Sequence, residues 1–238
     1  MRGIAFLLAL WPSLLWAECR QALAVGLDVS GSVDDAEYAL QMGGLAGAID
    51  HPEVRAALLQ MPELPVWLAV YDWSGPEDIR LILPWTEVSG PLALDRIVAE
   101  LRARPRMPGA PQTAVGAALR YGADLLADRD DCPRMTLDLT GDGLNNAGPR
   151  PRDIGLPPWV TVNALVIGAD GDPSWDGGEP GMAELSAWFR ADVIRGPDAF
   201  VETALGFEDF ERAMVRKLLK ELEGMRIGAA PVPRDEKG

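Results

Sequence analysis

The chain has 238 residues, 36 of them Asp or Glu against 22 Lys or Arg, for a formal net charge of −14. That balance argues against nucleic acid and anionic membrane surfaces as partners, because both repel it. With 1 histidine and 2 cysteines in the chain, a His-based zinc centre has no ligand set, and a Ser-His-Asp triad would depend on His51 with no G-x-S-x-G elbow to hold the serine.

Arg2 gives a short positive start, Ile4 to Leu15 is apolar apart from Pro12 and Ser13, and Trp16-Ala17 ends in a small residue. This is the three-part layout of a secretory signal peptide, so residues 1–17 read as an export signal and the protein as periplasmic or secreted. Glu18 stands where lipoprotein processing needs a small residue, which argues against acylation of Cys19. No later run is long enough to span a bilayer. Cys19 and Cys132 in an oxidising compartment are a disulfide candidate.

Ala22 to Leu27 is an unbroken apolar run and reads as a buried parallel strand, centred on Leu23 to Leu27. Asp34-Asp35 open a helix to about Ile49, and Pro52 starts a short one to about Gln60. Val66 to Tyr71 and Ile79 to Leu83 are strands joined by Ser74-Gly75-Pro76, which predicts an antiparallel pair. Leu92 to Arg104 is helical, Pro105 to Pro111 is a Pro-rich loop, and Thr113 to Ala127 is an Ala/Leu helix. Met135 to Leu139 and Val160 to Ile167 are strands, Ala183 to Phe189 is helical, and Asp192 to Ile194 is a short strand candidate. A final amphipathic helix spans Phe207 to Leu222, with Phe207, Phe210, Met214, Leu218 and Leu222 on one face. Residues 228–238 are Pro-rich and charged and predict a disordered tail. Residues 18–227 remain as one α/β domain with a mostly parallel central sheet.

Asp28-Val29-Ser30-Gly31-Ser32 follows the first strand directly. It offers one carboxylate and two hydroxyls at alternate positions, which a turn past a strand can fold around one point. In a parallel α/β sheet, ligands bind beyond the carboxyl ends of the strands. Thr140-Gly141-Asp142-Gly143 follows the strand from Met135, and Gln112-Thr113 opens the Ala/Leu helix, so both reach that same edge. Asp28, Ser30, Ser32, Thr113 and Asp142 together supply up to five oxygens, a set suited to Mg²⁺, or to Mn²⁺ or Ca²⁺, with a position left over. The bland readings are that Asp28 and Ser30 cap the next helix, that Asp142-Gly143 is only a turn, and that Asn145-Asn146 is loop scaffolding.

The three motifs in order resemble the von Willebrand factor type A (vWA) domain with its metal-ion-dependent adhesion site. Trp73-Ser74-Gly75, Pro84-Trp85-Thr86, Gly141-Asp142-Gly143-x-Asn145-Asn146 and Lys217-Leu218-Leu219-x-Glu221 are more narrowly similar to an exported alphaproteobacterial family of unknown function built on that domain. The resemblance implies a three-layer, Rossmann-like sandwich: a mostly parallel sheet with one antiparallel edge strand and helices on both faces. It implies that Ser30 and Ser32 ligate a metal directly, that Thr113 does so directly or through water, and that Asp28 and Asp142 act largely through water. The open position would accept a carboxylate from a protein partner. Gln112 departs from the pattern, where a glycine is common. The usual strand order of this domain makes the first and fourth strands neighbours, which implies a Cys19–Cys132 disulfide at the edge opposite the metal.

Residues 170–179 superficially resemble a calcium loop, but Trp175 replaces the required glycine and Gly181 stands where a bidentate Glu is needed. The same loop is expected on the metal edge, with Trp175, Asp172 and Asp176 on a partner-facing rim. Trp67, Trp85, Trp159 and Trp188 read as packing residues, and His51 as a surface or cap residue. The leading expectation is a non-enzymatic adhesion or assembly module. The alternatives are a metal-dependent phosphoryl-transfer or hydrolytic enzyme using the same site, with Asp72 as the nearest candidate base, and a scaffold whose metal site is vestigial.

Overall fold

The computed structural model describes residues 19–168 and 181–223. The predicted export signal, the tail at 228–238 and the 172–176 rim lie outside these residues.

The first apolar run forms β1 (Gln21–Asp28), buried along its whole length. Asp34 starts α1 (Asp35–Asp50) with a capping box: its side chain accepts from the backbone N–H of Ala36 and Glu37, and Glu37 reaches back to the N–H of Asp34. Pro52 then opens the short α2 (Pro52–Leu58), with His51 at the cap position between the helices. The predicted hairpin is β2 (Val66–Trp73) against β3 (Ile79–Glu87). It is followed by α3 (Pro91–Ala103), α4 (Val115–Ala127) and β4 (Met135–Gly141). The chain continues through β5 (Val160–Gly168), α5 (Met182–Asp192), β6 (Val201–Leu205) and α6 (Phe210–Glu223).

The six strands lie in the order β3-β2-β1-β4-β5-β6. All pairs are parallel except β2 with β3, so the antiparallel strand stands at an edge, as expected. Alternate residues of β1 divide the core. Leu23, Val25 and Leu27 join the layer under α1, α2, α3 and α6, while Ala22 and Ala24 join the layer under α4 and α5. The expected stripe is buried in the first layer, with Phe210, Met214, Leu218 and Leu222 on α6 and Phe207 in a 3-10 turn just before it.

One predicted strand is misplaced. Asp192 closes α5, and the sixth strand is Val201–Leu205. Val193 and Ile194 are apolar because they pack against the core beside α5, not because they lie in the sheet. The true edge strand reads as polar, with half-buried Glu202 and Thr203, because only one side of it is paired. The tryptophans also divide: Trp67, Trp85 and Trp188 pack against the α4/α5 core, but Trp159 is 45% exposed.

β4 sets Leu137 and Leu139 toward α4 and α5. Its alternate residues, Thr136, Asp138 and Thr140, are polar and fully buried on the other face. Each has a partner there. Gln21 Nε2 donates to Thr136 Oγ1 at 2.9 Å, and Thr140 Oγ1 donates to Gln41 Oε1 of α1 at 2.7 Å. Asp138 pairs with Lys217 of α6, which is 0% exposed and also pairs with Glu221 one turn on. Asn163 of β5 donates to Glu221 Oε1 at 2.7 Å and accepts from the N–H of Phe200 at 3.0 Å. Two carboxylates thus share one ammonium with no water around them. Burial, then the charge of Asp138, push Glu221 up to about 8 against the opposing pull of Lys217.

Cys19 and Cys132 are bonded, with Cα atoms 5.3 Å apart, just before β1 and β4. The two strands are neighbours, with Ala22 opposite Met135, so the expected pairing holds.

Two measurements follow from these features. Because the folded Glu221 binds its proton more tightly than the unfolded one, its stabilisation is complete below the usual glutamate range near 4.5 and is lost as pH rises toward about 8. Stability from urea unfolding should therefore fall across that window, and Glu221→Gln should flatten the fall. The disulfide closes a separation of 113 residues. Replacing both cysteines by serine should cost about 4–5 kcal/mol in the chain-entropy picture, read from the same unfolding curves.

Candidate metal centre

β1 and β4 remain in register only up to Gly26 opposite Leu139. Beyond that pair the strands part and leave a crevice at their carboxyl ends, where such sheets bind ligands. The N–H of Asp28 then bonds to Thr140 Oγ1 at 3.0 Å in place of a β4 carbonyl. Gln41 Nε2 donates to the carbonyl of Asp28 at 2.9 Å, and Gln41 Oε1 accepts from Thr140. Three residues from β1, α1 and β4 close a ring that fixes Asp28 at the lip of the crevice.

Past Asp28 the chain turns sharply. Asp28 Oδ1 accepts from the N–H of Ser30 at 2.9 Å, which brings Ser30 and Ser32 round to the same side. Their hydroxyls are 3.4 Å apart, and Ser32 Oγ donates to Asp142 Oδ1 at 2.9 Å. Two glycines allow the Pro-rich loop to lie against this turn. A Cβ on Gly31 would stand 2.9 Å from Pro111 Cα, and one on Gly109 would stand 2.6 Å from the carbonyl oxygen of Val29. That loop is pinned by Ser74 and Asp78, which accept from the N–H of Ala110, and it delivers Thr113.

Thr113 is held through its backbone by the loop after β4. Asn146 Oδ1 accepts from its N–H at 2.8 Å, its carbonyl accepts from the N–H of Asn146 at 2.9 Å, and Asn145 Oδ1 caps α4 at the N–H of Gly116 at 3.1 Å. The asparagines are scaffolding, as expected. The Thr113 hydroxyl faces the Asp142-Gly143 turn: a Cβ on Gly143 would meet it at 3.8 Å.

Asp28, Ser30, Ser32, Thr113 and Asp142 therefore converge on one crevice. Helix capping accounts for none of the first three, because Asp34 caps α1. Asp28 is 1% exposed, yet among the described residues its Oδ2 has no hydrogen-bond partner. Burial first and the nearby Asp142 carboxylate second push its carboxyl up to about 8. A buried oxygen without a hydrogen-bond partner, in a carboxyl beside Asp142 and Ser30, is unfavourable for the protein alone and favourable around a hard divalent cation. The residues fit such an ion. Gln41 and Thr140 had not been singled out from the sequence. The one available signal was a glutamine inside the apolar stripe of α1, between Tyr38 and Met42.

Asp72, the candidate base, ends up 2% exposed and bound to Arg80 Nε at 2.9 Å.

A six-stranded, mostly parallel sheet with one antiparallel edge and helices on both faces is a vWA-like fold. Solved structures agree. They include proximal thread matrix protein 1 from the mussel byssus (16% identity, TM-score 0.57, covering 87% of this chain and 48% of that one), and another structure of that protein has a zinc-occupied MIDAS motif. They also include the pilus adhesin SpaC from Lactobacillus rhamnosus GG (14%, 0.58, 87% and 31%) and a von Willebrand factor type A protein from Catenulispora acidiphila (15%, 0.56, 86% and 43%). The chain thus spans less than half the length of each. A family described as "Protein of unknown function (DUF1194)" matches residues 18–226, and the chain belongs to it. No curated protein sequence matches the chain.

Asp28→Asn keeps the Oδ1 acceptor and removes a carboxyl that must take up a proton to be buried without the metal. In EDTA it should melt higher than wild type, by about 1–3 kcal/mol. In MgCl2 the wild type should gain stability and the variant should gain little. Thermal melts in the two buffers check both halves.

Proposed function

We propose that the chain is an exported, metal-dependent protein-binding module. Ser30, Ser32 and Thr113 would hold a divalent cation, Mg²⁺ first and Mn²⁺ or Ca²⁺ as substitutes, with Asp28 and Asp142 anchoring it from behind. The single observation that carries this reading is the orphaned, buried Asp28 Oδ2 beside the Asp142 carboxylate and next to the Ser30–Ser32 hydroxyl pair. Hydroxyl ligands leave the cation under-neutralised, so it attracts the carboxylate of a protein partner. The adhesin and matrix protein among the structural neighbours support a role in adhesion or assembly.

Two details favour binding over metal-assisted hydrolysis. Asp72 is tied to Arg80, and His51 sits at the far end of α1 from the metal loop. Export is supported by the Cys19–Cys132 bond. Among the described residues, no helix is long and apolar enough to cross a membrane.

The reading requires saturable Mg²⁺ binding that Asp142→Ala abolishes. At a hundredfold excess over its dissociation constant the ion should stabilise the fold by about 2.7 kcal/mol. It also requires that a protein retained from a periplasmic extract be released by EDTA and not be retained by Asp142→Ala. Retention that ignores EDTA, or turnover of phosphoesters in MgCl2 or MnCl2, would overturn it.

A further inference from the structure

The proposed partner is acidic, and the chain carries a net charge of −14. An acidic segment approaching the metal edge is repelled by most of the surface, so any local cationic surface beside the crevice decides where it can lie. One such surface exists. A groove of about 250 Å³ runs between the first turns of α1, from Asp35 to Gly43, and the end of α3, and Arg102, Arg104 and Arg106 line it. Tyr38 lines it too; the residue is 4% exposed and, among the described residues, its hydroxyl has no hydrogen-bond partner.

The guanidinium groups are held from behind and lightly engaged in front. Arg104 donates to the carbonyl of Ile82 and Arg106 to that of Val33. Their carboxylate partners are exposed: Glu100 on Arg104 at 3.4 Å, Asp50 on Arg102 at 3.3 Å, and Asp35, 91% exposed, on Arg106. Exposed ion pairs contribute little and exchange readily. An incoming carboxylate therefore replaces weak contacts while the arginines stay positioned. Burial and then Asp72 raise the Tyr38 hydroxyl above the usual tyrosine range, and Arg80, Arg104 and Arg106 oppose that rise, so cationic groups stand next to this oxygen as well as along the groove.

We propose that this groove takes a second carboxylate of the same partner segment whose first carboxylate meets the metal. The inference rests on the adhesion reading and specifies its partner. Ser32 is three residues before α1, and the groove follows the helix from Asp35 to Gly43, about 12 Å at 1.5 Å of rise per residue. An extended segment at about 3.3 Å per residue bridges from the crevice to the middle of the groove with about three to five residues between its acids. Arg106 joins the two sites physically, because the carbonyl it binds, Val33, follows Ser32 directly.

The test uses labelled Gly/Ser peptides carrying one Asp, or two Asp separated by spacers of increasing length, with binding read by anisotropy in MgCl2 and in EDTA. In MgCl2, two-Asp peptides with a spacer of about three to five should bind about tenfold tighter than the one-Asp peptide. Arg102→Gln should abolish that gain, and Tyr38→Phe should reduce it about threefold. Arg96→Gln, the same charge change at an exposed position of α3 outside the groove, should preserve it. Arg102 makes only an exposed contact, and Tyr38→Phe removes an unpartnered oxygen, so both variants should fold; melts confirm this. If no spacer gives a gain, or the gain survives Arg102→Gln, the groove is not an acid site. If binding ignores EDTA while Arg102→Gln still weakens the two-Asp peptides, the metal reading fails and the groove stands.

Discussion

The ring formed by Asp28, Thr140 and Gln41 is the constraint on which the crevice depends. Two parallel strands that stayed paired to their ends would leave no gap between them. Here the ladder stops at Gly26 and Leu139, and the next free N–H, that of Asp28, is taken by a side chain. A threonine hydroxyl both accepts and donates, so it serves Asp28 and passes the bond to Gln41. The glutamine amide, which donates through its nitrogen and accepts through its oxygen, returns the bond to Asp28. A valine at 140 would have a similar shape but would break the ring, leaving buried donors and acceptors without partners.

The same face of β4 shows what the fold gives up for definition. Thr136, Asp138 and Thr140 occupy positions where aliphatic residues would pack with less desolvation. Buried ion pairs of this kind are a poor source of stability, since the cost of removing water offsets the attraction. They are demanding about geometry, however. Lys217 meets Asp138, and Glu221 meets Asn163, only with α6 at one height on the sheet, and Gln41 meets Thr140 only with α1 at one height. The helices beside the crevice are thus set by directional contacts, and the surrounding aliphatic core would tolerate sliding. This gives a physical role to Lys217-Leu218-Leu219-x-Glu221, which the sequence marks as a signature without explaining it.

Legibility followed how local each feature is. The ligand candidates sit in short motifs directly after strands, so their type and spacing announced them. The antiparallel hairpin and the face of α6 were equally local. Gln41 was hidden because its partners are 99 residues away at Thr140 and 13 away at Asp28, and a lone polar residue in an apolar stripe has many explanations. β6 was hidden because an edge strand needs no apolar run, and Val193-Ile194 drew attention because burial next to a sheet looks like burial within one. The arginines at 102, 104 and 106 fall at a helix end and in a loop, where their convergence with Tyr38 depends on how α1 and α3 cross.

The position of the disulfide has a mechanical consequence. The two loops that carry Asp28 and Asp142 rise from adjacent strands, and those strands are bonded covalently at their far ends. A tug on the crevice is therefore carried lengthwise down β1 and β4 together and stops at Cys19–Cys132. Neither strand can be drawn out alone, because its neighbour is loaded in parallel through the same cross-link. The load passes instead to the backbone hydrogen bonds that tie this pair to β2 and β5, which are strained in shear, all at once, and are not unzipped one after another. For a molecule gripped at one edge, that arrangement turns a small domain into a stiff link.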